Sequence, residues 1–295
     1  MSERGSLPSV SSALSLYRFG SADPTTRLNG DEFWRATFTP DGPGTLHISW
    51  TTGEVVAQSW GPGGPWLEAC VDSITGANDH PPSFDTAHPA IARAAHRHTH
   101  VRLGASGTLY HELLPVIIGQ RITAGEAIAQ WHRLVRKLGD PAPGPLDGLL
   151  LPPAPHVLER QPTWWFHPLG IEAKRAEPLK LVARHAPRLW EWATLSSREC
   201  AAKLGLLRGV GQWTIGSALG PALGDPDALA VGDFHLKNLV VNALTGRPRG
   251  TDDEMLELLQ PYAGERGRVV RLLQLDGHGA PAFGPRQRIL PMRHW

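Results

Sequence analysis

A carboxylate, a large aromatic and a glycine-rich turn are the residues here whose types and spacing could do chemistry. Residues 206–220 read LLRGVGQWTIGSALG, with Gly209 and Gly211 flanking Val210 and Trp213 two residues beyond the second glycine. A Gly-x-Gly turn has no Cβ at either glycine, so its backbone can approach a phosphate closely. A helix opening just after it aims free N–H groups at the same anion. Such a grip holds nucleic-acid backbone and is blind to sequence. A plain corner between two helices would explain Gly-x-Gly alone, but not a tryptophan at 213. Twenty residues past Trp213, in GDPDALAVGDFHLKN, stands Asp233. It precedes FHLKNLVVNAL and is well placed to cap that helix. A carboxylate there could also orient or deprotonate water.

Taken together, LLRGVGQWT, the segment around Asp233 and the upstream GIEAKRAEPLKLVARHA resemble the helix-hairpin-helix DNA glycosylases. The pattern looks like their DNA-3-methyladenine glycosylase II family. The first segment is similar to the family's hairpin and the second to the loop that places its catalytic aspartate. The third looks like the helix preceding the hairpin. The resemblance spans about Leu109–Tyr262 and extends more loosely to the N-terminal region, because that family carries a small β-rich domain in front.

The resemblance implies a role for each matched position. Members that also cut the strand carry lysine where Trp213 stands, in a pattern like GVGxKT, and use its amine to form a Schiff base. GVGQWT has no such amine, which implies a monofunctional enzyme that releases a base and leaves an abasic site. Trp213 would line the base pocket, since an indole face attracts an electron-poor cationic base; a core role is its other reading. Ser217 occupies a position where an aromatic can help line that pocket. Asp233 would be the catalyst, and an alkylated base needs no partner acid to leave. Arg208, Gly209, Val210, Gly211 and Thr214 would contact DNA. So would Gln120 and Arg121 of GQRIT, where the family places a wedge that is usually apolar. Carbonyls around Leu207 and Val210 could hold a structural monovalent cation; no other cofactor or metal is expected.

The expected function is therefore excision of alkylated purines of the 3-methyladenine and 7-methylguanine type from double-stranded DNA, by a monomer in the cytoplasm (at the nucleoid if bacterial). Two alternatives stand beside it: a glycosylase for deaminated bases such as hypoxanthine, and a non-catalytic helix-hairpin-helix DNA-binding protein. Residues 1–100 carry a net charge of −4 and residues 101–295 a net of +5. That balance permits a polyanion on the C-terminal part and leaves phosphate contact to local amides and a few arginines. HRHTH would put His96, His98 and His100 on one face of a strand, where they could bind zinc or nickel; without a fourth ligand a solvated segment is the simpler reading. The pair Trp164–Trp165 reads as a core anchor.

The elements that must position these residues follow from periodicity. The fold class is α+β: an antiparallel β-rich N-terminal domain, then a bilobal helical domain. Residues 1–15 read as a loose, Ser-rich leader without a secretion signal, 16–105 as the β-rich domain and 106–295 as the helical domain, with the hairpin at 206–214. Between Tyr17 and Pro82, alternating apolar residues broken by PDGPG and TTGE predict a three-stranded meander, with a helix over 65–75. Helical spacing follows in LYHELLPVIIGQ, AGEAIAQWHRLVRKLG and the segments around the hairpin. Ser196 with Glu199, and Thr251 with Glu254, predict capping boxes, and Gly246 predicts a stop. No apolar run is long enough to span a bilayer. Cys70 and Cys200 read as reduced thiols, too few for an iron–sulfur cluster.

Overall fold

A computed structural model describes residues 7–50 and 54–279, with side chains from Ser9 onward. The calls on residues 1–6, on the TTG of the second turn and on the last sixteen residues lie outside it. The chain opens with α1 (Leu7–Leu14), then β1 (Thr26–Asn29), β2 (Glu32–Thr39), β3 (Gly42–Ser49) and β4 (Val56–Trp60). These form one antiparallel sheet in the order β1-β2-β3-β4, one strand more than the meander predicts. Two short helices follow, α2 (Gly64–Ala69) and α3 (Val71–Ile74), in place of the single helix over 65–75.

Alternation along β2 explains how the sheet is clamped. Phe33, Arg35 and Thr37 are buried on one face; Ala36 is buried on the other, with Trp34 and Phe38 half-covered by the Pro-rich connection through Leu149 and Leu151. Phe33 packs with Leu46, Ile48, Val10 and Leu14. The leader is thus a helix over 7–14 that completes the core beneath the sheet, because its apolar residues recur at helical spacing.

The remaining helices are α4 (Pro89–Arg97), α5 (Leu109–Ile118), α6 (Ala124–Leu138), α7 (Pro155–Arg160), α8 (Ala173–Arg184), α9 (Ala186–Trp192), α10 (Ser197–Leu204), α11 (Gln212–Leu223), α12 (Leu236–Thr245), α13 (Asp252–Leu259) and α14 (Arg266–Leu275). One lobe packs α5 to α11 around Trp131, Leu113, Leu179 and Ala218. The second gathers α12 to α14 with Ile91 and Ala94 of α4. The boundary drawn at residue 105 is corrected here: residues 84–101 belong to the second helical lobe. Arg97 seals that seam through Asp276 at 3.0 Å. Both capping boxes form, at Ser196–Glu199 and Thr251–Glu254. Gly246 ends α12 with φ 75°.

A buried polar seam joins the sheet to α5. Arg35 meets Glu112 at 2.5 Å and donates to the Tyr17 carbonyl at 2.9 Å. Glu112 also accepts from Ser106. His111 lies between Thr25 at 3.2 Å and Thr37 at 3.1 Å. Burial, and then the Arg35 charge, hold the His111 imidazole well below the usual histidine range.

Three further expectations change. HRHTH is not a strand: His96 lies in the last turn of α4, which ends at Arg97, and His98 is its C-cap; no cluster of three His, Cys, Asp or Glu able to hold a metal occurs among the described residues. Trp164 is 74% exposed and anchors nothing, while Trp165 packs partly against the first lobe. The segment GIEAKRAEPLKLVARHA is not the helix before the hairpin. It forms α8 and the start of α9, and α10 enters the turn. Cys70 and Cys200 are free thiols, and burial pushes Cys200 up to about 11. Among the described residues no helix is long and apolar enough to cross a membrane.

Candidate active site

The hairpin, the Gly119–Thr123 loop, the start of α8 and the Val231–His235 segment enclose an open cleft of about 1270 Å³. Gly209 makes the turn with φ +89°, and a Cβ there would lie 2.3 Å from the Pro178 ring of α8. The α8 helix therefore acts on the hairpin by packing under it. Gly211 faces open space and is followed by α11, whose N-terminus no side chain caps. The first N–H groups of α11 are thus left for an outside acceptor. Arg208 is exposed beside the turn and Val210 is buried beneath it.

Gln120 and Thr214 both line the cleft and join the loop to the hairpin. The Gln120 amide donates to the Gly209 carbonyl at 2.9 Å and to the Thr214 hydroxyl at 2.8 Å. Thr214 is buried. Both residues tie the loop to the hairpin. Arg121, next in the loop, is exposed with φ +61°, the one non-glycine residue at positive φ among those described. Holding a side chain in that region costs about 1–2 kcal/mol, and such strain clusters at ligand-binding loops. Arg175 supports the floor, giving N–H groups to the carbonyls of Ile118 (2.8 Å) and Gly170 (2.9 Å) and to the Gln130 side chain (2.6 Å).

Asp233 and Trp213 meet on the cleft wall. Asp233 Oδ1 accepts the backbone N–H groups of His235 at 2.7 Å and Leu236 at 3.0 Å. The expected capping is therefore made from two residues ahead of the helix's N-cap position, His235. Asp233 Oδ2 accepts Trp213 Nε1–H at 3.2 Å. The segment is anchored at both ends. Asp227 takes N–H groups from Gly264 and Arg266 and pairs with the Arg266 guanidinium. At the other end Asp252 accepts Gly232 N–H at 3.0 Å and meets Lys237 at 2.9 Å. Burial raises the Asp252 carboxyl, but Lys237 and that N–H outweigh it and hold it below its usual value.

Ser217 does not line the cleft; its hydroxyl donates to the Trp213 carbonyl at 2.7 Å, one turn back on α11. Among the hairpin carbonyls, Leu207's accepts Val210 N–H and Gly209's accepts Gln120; each keeps a second lone pair that an ion could use. Sequence reasoning missed Leu206 and Phe234, which line the cleft while 83% and 62% exposed, and His235, packed edge-on to Phe234 at 5.1 Å. Phe234 had a signal: an aromatic directly after a capping aspartate lies outside the buried stripe of the helix that follows.

No family model matches the sequence, and no curated protein matches it. Solved structures do match in shape. A 3-methyladenine DNA-glycosylase from Archaeoglobus fulgidus superposes with a TM-score of 0.76 at 16% identity, covering 93% of this chain and 96% of its own. An 8-oxoguanine glycosylase/lyase from Clostridium acetobutylicum, in complex with double-stranded DNA, gives 0.63 at 12% identity, covering 86% and 87%. The chain has the fold of the helix-hairpin-helix DNA glycosylases, in its α+β form with a four-stranded antiparallel sheet in front.

Proposed function

We propose that this protein is a monofunctional DNA glycosylase that hydrolyses the N-glycosidic bond of alkylated purines in duplex DNA, 3-methyladenine and 7-methylguanine among them. The observation that carries the reading is the shared cleft wall: Asp233 and Trp213 stand in contact beside a hairpin with an open helix N-terminus. The chemistry then follows from charge. An alkylated purine is cationic, so as the C1′–N bond breaks the electron pair moves to the base and neutralises it. Positive charge grows on the sugar, where the Asp233 carboxylate answers it. Water adds at C1′ and gives up its proton, with the carboxylate as acceptor. The backbone of Gly209–Gly211 and the start of α11 hold a phosphate, with Arg208 and Arg121 beside them.

A tryptophan where a strand-cutting relative would carry lysine supports hydrolysis without lyase chemistry. Lys174, on the first turn of α8, also lines the cleft, so the test includes trapping. Base release and strand scission are measured on methylated duplex DNA, with borohydride present in one arm, for wild type and Asp233→Asn. Asparagine caps a helix about as well as aspartate, so the variant loses charge and keeps its fold. Expected are release of methylated purines by wild type, a drop of at least a hundredfold in the variant, and no trapped adduct. A trapped adduct overturns the monofunctional reading. Release of hypoxanthine in preference to methylated bases overturns the alkyl-purine reading. A folded wild type that binds DNA and releases nothing overturns the enzyme.

A further inference from the structure

An ionised carboxylate offers about four acceptor sites, two on each oxygen. At Asp233 three of them are spoken for. Oδ1 takes two backbone N–H groups, from His235 and Leu236. Oδ2 takes the indole N–H of Trp213. One site remains, on Oδ2. With Oδ1 pinned to the helix, the carboxylate can still swing Oδ2 about that anchor, and the indole is the group that stops it.

The indole is itself held. Trp213 sits in the first turn of α11, half-buried. Its far edge lies against the α5–α6 loop, where a Cβ built on Gly119 would stand 3.6 Å from Trp213 Cη2. One edge of the ring therefore rests on the loop and the other gives its N–H to the aspartate. The loop is tied in turn to the hairpin through Gln120. Loop, hairpin and carboxylate are thus connected through one side chain.

We propose that Trp213 is a positioning residue: its indole N–H fixes Oδ2 of Asp233 so that the remaining lone pair faces the sugar and the attacking water. This rests on the glycosylase reading and goes beyond it, since a tryptophan that only stacks on a base needs no N–H. The two roles separate in Trp213→Phe, which keeps an aromatic face and removes the donor.

Single-turnover release of 3-methyladenine is measured for wild type, Trp213→Phe and Asp233→Asn, with affinity for the lesion duplex measured in parallel. A hydrogen bond to a charged group, converted to rate, predicts that Trp213→Phe loses about ten- to a hundredfold in the chemical step, with affinity within about threefold of wild type. Unchanged rate with weakened affinity would overturn the positioning role and leave stacking. A second readout does not depend on activity. In protein labelled with ¹⁵N at the indole nitrogens, Trp213→Phe identifies the Trp213 cross-peak by its loss. That peak is expected to shift in Asp233→Asn more than any other indole peak; a peak that stays still refutes the contact. Should Trp213→Phe fail to fold, the same peak, assigned instead by ¹⁵N-edited contacts to the ring, decides the matter in Asp233→Asn. A wild type without activity on any lesion would sink the glycosylase reading, whereas an active wild type with an indifferent Trp213→Phe sinks only this inference.

Discussion

The two hairpin glycines are expected to fail in different ways when each is replaced by alanine. At Gly209 the backbone has φ +89° and the new methyl would lie 2.3 Å from Pro178 Cγ and 3.1 Å from its Cβ. Left-handed backbone costs an L-residue about 1–2 kcal/mol. Overpacking against a ring that cannot rotate away adds about 1–3 kcal/mol. Gly209→Ala should therefore lose about 2–5 kcal/mol, a large share of the roughly 5–15 kcal/mol of a folded protein. At Gly211 nothing lies within 4 Å and φ is −95°. Gly211→Ala should fold as well as wild type, or gain up to about 1 kcal/mol by restricting the unfolded chain. Its methyl would instead stand between the hairpin backbone and an approaching phosphate, weakening DNA binding at least tenfold. Urea unfolding followed by circular dichroism reads the first effect. Fluorescence anisotropy with a duplex carrying an abasic-site analogue reads the second. A Gly209→Ala protein within 0.5 kcal/mol of wild type, on the uncertainty usual for such data (about 10–15%), would refute the packing of the hairpin on α8. Wild-type DNA affinity in Gly211→Ala would refute the phosphate grip.

Arg121→Asn keeps a side chain that tolerates the left-handed backbone and removes the cation, so stability should stay within about 0.5 kcal/mol. If Arg121 meets a phosphate, the slope of log affinity against log salt should become shallower by about one; an unchanged slope removes Arg121 from the interface. His111 makes stability depend on pH. Its folded pKa lies below the unfolded value near 6.5, because burial and then Arg35 disfavour the imidazolium. Below that pH the unfolded chain binds the extra proton, so stability falls as pH drops, by up to about 1.4 kcal/mol per unit. The difference in unfolding free energy between wild type and His111→Gln, followed from pH 7.5 to 5.5, should therefore shrink as pH falls; a flat difference refutes the buried neutral imidazole.

Local chemistry was legible in the sequence where it depends on neighbours a few residues away. Ser196 with Glu199, and Thr251 with Glu254, close capping boxes over three residues, and Gly246 takes the left-handed stop that its missing Cβ allows. The Gly-x-Gly hairpin and the capping action of Asp233 belong to the same class, since each needs only the turn that contains it. Helical and strand periods likewise marked most elements, although a period does not say which partner covers the apolar face. For that reason α1 read as a leader and α4 as part of the β-rich domain, when one lies under the sheet and the other in the second lobe.

Tertiary structure alone decided the wiring of the cleft. Nothing near Gln120 in the chain says that its amide meets Gly209 and Thr214, 89 and 94 residues away, nor that Pro178 lies under the turn. The family resemblance put Trp213 and Asp233 in one site, but whether the indole offers its face or its N–H depends on the angle between α11 and the segment ahead of α12. The same holds for Trp164, apolar by composition and exposed by placement. Residue type sets what a side chain can donate, accept or bury. The packing of helices distant in sequence determines which of those capacities is used, because hydrogen bonds and contacts are satisfied in space, over a few ångströms, whatever the separation along the chain.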